Sequence, residues 1–299
     1  MKNTIIAVIA VIIIGFIGYF IFRKPVSPVV PTTNTISTTT PTSAVQNTTP
    51  VNKEETVIGK SVEGRDIVAY HFGTGVREIV LVGGIHGGYS WNTALVAYQT
   101  IDYLKANPSV IPANIKVTVI PALNPDGLFK VVGKTGAFTA TDVSASATLQ
   151  AAARFNANLV DISRNFDCDW QANAKWQSKT VSGGSAAFSE PESLAVKNYV
   201  ETKNPTAVIV WYSAAGGVYP SKCGGSVMTE TTNLTNLFAK ASGYKAYSSY
   251  NFYETTGDMV NWLAKKQIPA ISVLLTNHTD TEFTKNQNGI MAVMKFYTK

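Results

Sequence analysis

Hydrophobic positions fall into three regimes along the chain. Ile5 to Phe22 is an unbroken run of 18 uncharged, mostly aliphatic residues, with Lys2 before it and Arg23-Lys24 after it. At about 1.5 Å per residue a helix of that length spans a bilayer core. The run ends in Tyr19-Phe20-Ile21-Phe22 rather than in a small-x-small cleavage site, so residues 1–24 read as an uncleaved transmembrane anchor. The flanking charges nearly balance and leave its orientation open. Over Pro25–Asn52 the pattern disappears: these residues are almost wholly Pro, Thr, Ser, Val and Asn, with no charge. Such a composition has nothing to bury and reads as an extended, solvated stalk of the kind that stands outside a cell.

From Lys53 onward short apolar runs alternate with longer segments of helical period. The predicted strands are 66–72, 78–83, 116–121, 207–213 and 270–275, several of them continuously apolar as in strands covered on both faces. The predicted helices are 92–106, 190–203, 231–242, 256–266 and 285–297. Ser189-Glu190-Pro191-Glu192 sets the start of the second, with Ser189 as N-cap and Glu192 closing a capping box. The order implies one α/β domain over residues 53–299, a mixed, mostly parallel twisted sheet between helices, preceded by one transmembrane helix. Working residues in such folds gather at strand ends.

Composition narrows the function. With 45% hydrophobic residues the chain has ample core. Its net charge of +6 is dispersed, with no basic run interleaved with aromatics, which argues against a nucleic-acid partner. Two cysteines, Cys168 and Cys223, each lie just after a segment at a strand end. They are expected to form one disulfide in an exported domain, the blander alternative being two buried thiols.

The candidate chemistry lies in Gly83-Gly84-Ile85-His86-Gly87-Gly88-Tyr89-Ser90-Trp91-Asn92-Thr93, Asn124-Pro125-Asp126-Gly127, Val160-Asp161-Ile162-Ser163-Arg164-Asn165-Phe166, Phe188-Ser189-Glu190-Pro191-Glu192, Trp211-Tyr212-Ser213 and Ile271-Ser272-Val273-Leu274-Leu275. A lone Asn-Pro-Asp-Gly is only a turn, but in this order and spacing the six segments resemble the zinc carboxypeptidases of the carboxypeptidase A/B family over nearly all of residues 55–299. The resemblance implies a zinc held by two histidines and a glutamate, a zinc-bound water, a glutamate base on a late strand, and Arg and Asn side chains on the substrate's terminal carboxylate.

His86 stands at the first ligand position. The partner carboxylate three or four residues on is replaced by Tyr89 and Ser90, with no Asp or Glu between Glu78 and Asp102. Tyr212 stands at the second histidine, and none of the chain's three histidines lies between His86 and His278. Leu274 holds the base position, Ser163-Arg164 replaces the Asn-Arg pair, and Ala137 falls where a further Arg is expected. Tyr253 matches the mobile tyrosine over the substrate.

These substitutions predict a membrane-anchored, extracytoplasmic pseudopeptidase that needs no zinc and binds peptide C-termini through Arg164. The alternative is an active zinc enzyme with replacement ligands, a Tyr212 phenolate or His278. A blander reading makes His86 a hydrogen-bonded loop residue, Arg164 the partner of a buried carboxylate and Tyr253 a packing residue.

Overall fold

The computed structural model describes residues 54–299. The expected anchor and stalk lie outside them. Among the described residues no helix is long and apolar enough to cross a membrane.

The continuously apolar segments form the sheet centre. β3 (Arg77–Val82), β4 (Ile115–Ile120), β7 (Ala207–Ser213) and β9 (Ala270–Leu275) are mutually parallel, and β7 and β9 are buried along almost their whole length. Antiparallel strands β1 (Glu55–Lys60), β2 (Asp66–Phe72) and β8 (Gly217–Pro220) complete a seven-stranded mixed sheet of order β1-β2-β4-β3-β7-β9-β8. A separate hairpin joins β5 (Asn173–Trp176) to β6 (Lys179–Ser182).

The period of two along a strand sends alternate residues to opposite layers. Ile79 and Leu81 pack beneath α1 (Trp91–Ala106), which joins α5 (Thr229–Ser242) and α7 (Phe283–Phe296) on one face. Val80 and Val82 pack on the other face, under α4 (Pro191–Lys203) and α6 (Met259–Lys265). Helices thus cover both faces of the sheet. Because the four central strands run the same way, the loops after β3, β4, β7 and β9 emerge at one end.

Several element limits differ from the expected ones for local reasons. Ser189 is not the cap of α4: its hydroxyl donates to Glu190 Oε1 at 2.8 Å, and Glu190 itself precedes the helix without a side-chain cap. Glu192 is drawn instead to the Val62 amide and Asn156. The helix expected from residue 256 starts at Met259, where Asp258 Oδ1 accepts the amides of Val260 and Asn261. Asn-Pro-Asp-Gly is more than a turn, since Asn124 caps α2 (Pro125–Val132) by accepting the Gly127 amide at 2.9 Å. The short α3 (Ala147–Ala152) and strands β1, β5 and β6, brief and partly exposed, and the buried but four-residue β8 carry too little hydrophobic pattern to predict. Cys168 and Cys223 are joined in a disulfide, with Cα atoms 5.9 Å apart.

Candidate functional site

His86 leaves β3 through a glycine loop that carries its backbone against the floor of the site. Gly87 has a φ of +46°, and a Cβ there would lie 2.5 Å from the Ala153 carbonyl oxygen. A larger residue would force the two segments apart. The ring is buried, with Nε2 2.9 Å from Ser163 Oγ and Nδ1 3.5 Å from Ser90 Oγ. Ser163 Oγ donates its only proton to Asp161 Oδ1 at 2.7 Å. The His86 contact must then run from Nε2–H to Ser163, leaving the Nδ1 lone pair toward Ser90. Burial, helped by the charge of Arg154, pushes the imidazole well below its ordinary pKa and keeps it neutral.

Asp161 organises this corner. Its Oδ1 also accepts the Ser163 amide at 3.1 Å, and its Oδ2 accepts Arg154 Nε at 2.8 Å. Burial opposes its charge, but the guanidinium groups of Arg154 and Arg164 outweigh that and hold the carboxyl far below the usual range. Arg154 is fully buried, with its guanidinium 4.5 Å from the Trp176 ring centroid on the β5–β6 hairpin.

Arg164 differs. It is 3% exposed, donates from Nε to the Lys175 carbonyl at 3.0 Å and from Nη1 to the Ser163 carbonyl at 2.7 Å, and forms no ion pair among the described residues. Burial opposes its charge, yet Asp161 and Tyr253 keep it protonated. The buried Arg–carboxylate pair of the scaffold is therefore Arg154–Asp161, not one made by Arg164.

Tyr212, at the end of β7, stands beside Leu274 of β9 in register. Its ring centroid lies 5.4 Å from that of His86, and its hydroxyl donates to Asp258 Oδ2 at 3.2 Å. Burial and the Asp258 charge push the phenol well above its ordinary pKa, so it keeps its proton. Burial likewise raises the Asp258 carboxyl.

These groups line a cleft in two parts. An inner recess of about 70 Å³ is bounded by His86, Ser163, Arg164, Tyr212, Tyr253, Asp258 and Leu274. An outer part of about 670 Å³ adds Tyr89, Arg154, Trp176 and His278. The predicted residues converge except for two. Ala137 is exposed and lines neither part, whereas Arg154 does. Of the two positions after His86, Tyr89 opens to the cleft and Ser90 is sealed at 1% exposure. Arg154 and Asp258 were not legible as site residues: the first is placed by a hairpin more than twenty residues away, and the second has the pattern of an ordinary helix cap.

A catalytic zinc site needs three N or O donors converging on one point. Here one neutral imidazole nitrogen is offered, beside a serine, a protonated phenol and a leucine. Among the described residues the one group of three His, Cys, Asp or Glu side chains close enough to share an ion is Cys168, Asp169 and Cys223, whose sulfurs are bonded to each other. The residues present do not fit the metal.

Residues 42–295 match the family model described as zinc carboxypeptidase, peptidase M14. The chain belongs to that family. A curated relative, gamma-D-glutamyl-L-diamino acid endopeptidase 1 of Lysinibacillus sphaericus, is 24% identical over 217 residues, covering 66% of this chain and 54% of the relative. The chain thus spans about half the length of that relative. Among solved structures, bovine thrombin-activatable fibrinolysis inhibitor bound to a tick carboxypeptidase inhibitor aligns with a TM-score of 0.64 at 16% identity, covering 82% of this chain and 89% of that one. Murein-tripeptide amidase MpaA from Escherichia coli O157 gives 0.56 at 19% identity, covering 81% and 91%. At such identities the structural likeness establishes the carboxypeptidase fold alone.

Proposed function

We propose that this carboxypeptidase-like domain is a pseudopeptidase that binds the free carboxylate end of a peptide without cleaving it. One observation carries the reading: Arg164 is a buried cation, open to the inner recess, with no carboxylate bonded to it. A desolvated guanidinium with no carboxylate in direct contact is costly, and a ligand carboxylate offsets that cost while receiving directed N–H groups. The losses around His86 remove both the metal's donors and the proton acceptor that hydrolysis requires. The anchor and stalk read from residues 1–52 would hold the domain on the outer side of a membrane, within reach of surface peptides. Relatives named for murein and diamino-acid peptides make a cell-wall stem peptide the first ligand to try.

The replacement-ligand reading draws on His278, which lines the same cleft as His86. It needs a Tyr212 phenolate that burial disfavours, and it still lacks a base. Calorimetry of the full chain, with and without chelator, with a tripeptide and its C-terminal amide separates the readings. Binding of the free acid but not the amide, with the peptide recovered intact, is expected. Equal affinity for both refutes the carboxylate site, and chelator-sensitive cleavage refutes the pseudopeptidase.

A further inference from the structure

The two edges of the main sheet differ. β8 is covered: the Val218 amide donates to the Lys245 carbonyl at 2.9 Å, and the Val218 carbonyl accepts the Tyr247 amide at 2.9 Å. β1 forms the other edge, and among the described residues no strand lies on its outer side. Its Val57 is 55% exposed. An open edge is a row of unpaired backbone groups, which a protein either guards or uses.

The register with β2 shows which groups are open. The His71 amide donates to the Glu54 carbonyl at 2.7 Å, and the Ser61 amide donates to the Arg65 carbonyl at 2.8 Å. Hydrogen-bonded and non-hydrogen-bonded rungs alternate in an antiparallel pair. Counting inward from those two bonds, the rungs Glu55–Tyr70, Val57–Val68 and Lys60–Asp66 are non-bonded, so the amides and carbonyls of Glu55, Val57 and Lys60 point away from β2. The bulge between Val57 and Gly59 takes up one extra residue. Glu55 and Lys60 therefore each stand two rungs from Val57, as Tyr70 and Asp66 do from Val68. The three side chains share one face of the sheet, and all are exposed.

Opposite charges at equal distances from an exposed valine are self-complementary. A two-fold axis through Val57 sets two copies of β1 antiparallel, lets their outward backbone groups bond, and places Glu55 of each copy opposite Lys60 of the other. Lys60 already meets Asp66 within the chain, but with side chains 64% and 48% exposed that pair is loosely held and leaves the ammonium free to turn toward a second carboxylate. We propose that β1 pairs with β1 of a second copy of this chain, Val57 against Val57, joining the two sheets into one. An edge guarded only by its bulge and its charges would be served by charges of one sign, which repel in this pairing; here the signs are opposite and symmetrically placed. The cleft opens at the ends of β3, β7 and β9, three or more positions from β1 along the sheet, so the pair leaves it open and carries two. The pairing does not depend on what the cleft binds.

Single cysteines read the register directly. Val57→Cys lies on the axis, where a hydrogen-bonded antiparallel rung holds the Cα atoms about 5.5 Å apart, within disulfide reach. The two native cysteines are joined to each other and do not compete. Under a mild oxidant the full chain with Val57→Cys should become a covalent dimer on a non-reducing gel, whereas Val76→Cys, at a 93% exposed position between β2 and β3, should stay monomeric. Glu55→Cys and Lys60→Cys chains should cross-link when mixed and much less when alone. Adding Lys60→Glu to Val57→Cys should slow cross-linking about tenfold in protein whose melting transition is retained, because both symmetry-related pairs turn repulsive. Adding Glu55→Lys as well should restore it, even though the new carboxylate still faces Asp66 within the chain. Cross-linking of Val57→Cys no faster than that of Val76→Cys overturns the proposal, as does an unchanged rate with Lys60→Glu or a charge swap that restores nothing.

Discussion

Around Arg164 and Arg154 the groups are charged, buried and held in fixed directions, whereas at the same depth around His86 the side chains are neutral: Ser90, the protonated Tyr212 and Leu274. The first wall suits an anion. The second offers neither a metal's donors nor a base. His86, Tyr212 and Leu274 come from the ends of parallel strands, whereas Arg154 and Arg164 come from the segment between α3 and β5. The proposed function assigns recognition and hydrolysis, joined in a working peptidase, to different walls of one cleft.

The contrast breaks most completely if the neutral wall is rebuilt. Tyr89→Glu, Tyr212→His and Leu274→Glu together should raise zinc content from trace to about one per chain and bring weak release of C-terminal residues, since three donors and a base are restored. Tyr89 is the position to change because it faces the cleft and Ser90 does not. Single changes should do almost nothing; zinc analysis and hydrolysis of a blocked dipeptide read both outcomes.

On the charged wall, Arg154→Met leaves Asp161 buried without its partner and should cost about 3–5 kcal/mol of stability in chemical denaturation. Adding Asp161→Asn should recover much of that, which a merely steric effect would not permit. Arg164→Gln, which has no such partner to strand, should act on binding: affinity for a free-acid peptide falls about 10- to 100-fold, the scale of a lost charged hydrogen bond, with the amide unaffected.

The smallest effect concerns pH. An unfolded chain takes a proton on each histidine near pH 6.5, while burial holds His86, His71 and His278 below that in the fold. The unfolded state binds more protons, so stability is full above about pH 6.5 and declines as pH falls below it. Removing one contributor with His86→Gln should make the decline in melting temperature between pH 7 and pH 5 shallower, and an unchanged slope would place the titration elsewhere.

How far all this was readable follows from where each signal resides. β3, β7 and β9 announce themselves because strands buried on both faces must be apolar throughout, and His86, Tyr212 and Leu274 sit at or near the ends of such segments, while Ser163 and Arg164 lie in a short turn capped by Asp161. The disulfide was expected from the two cysteines' positions and is present. Arg154 was missed because what makes it a site residue is Trp176 on the distant hairpin, and Ala137 was chosen from a segment with no apolar register to fix it. Spacing alone could not separate Tyr89 from Ser90, since a tight turn over Gly87–Ser90 decides which faces the cleft. The loop that carries His278 is tied to Asn92, 185 residues before Asn277 in sequence.

The most direct test of the central claim is metal content. The full chain, extracted from zinc-replete cells and desalted without chelator, should contain far less than one zinc per chain, and added zinc should neither raise its melting temperature nor start hydrolysis of a blocked dipeptide. Near one zinc per chain, removed by dipicolinate together with peptide cleavage, would contradict the account.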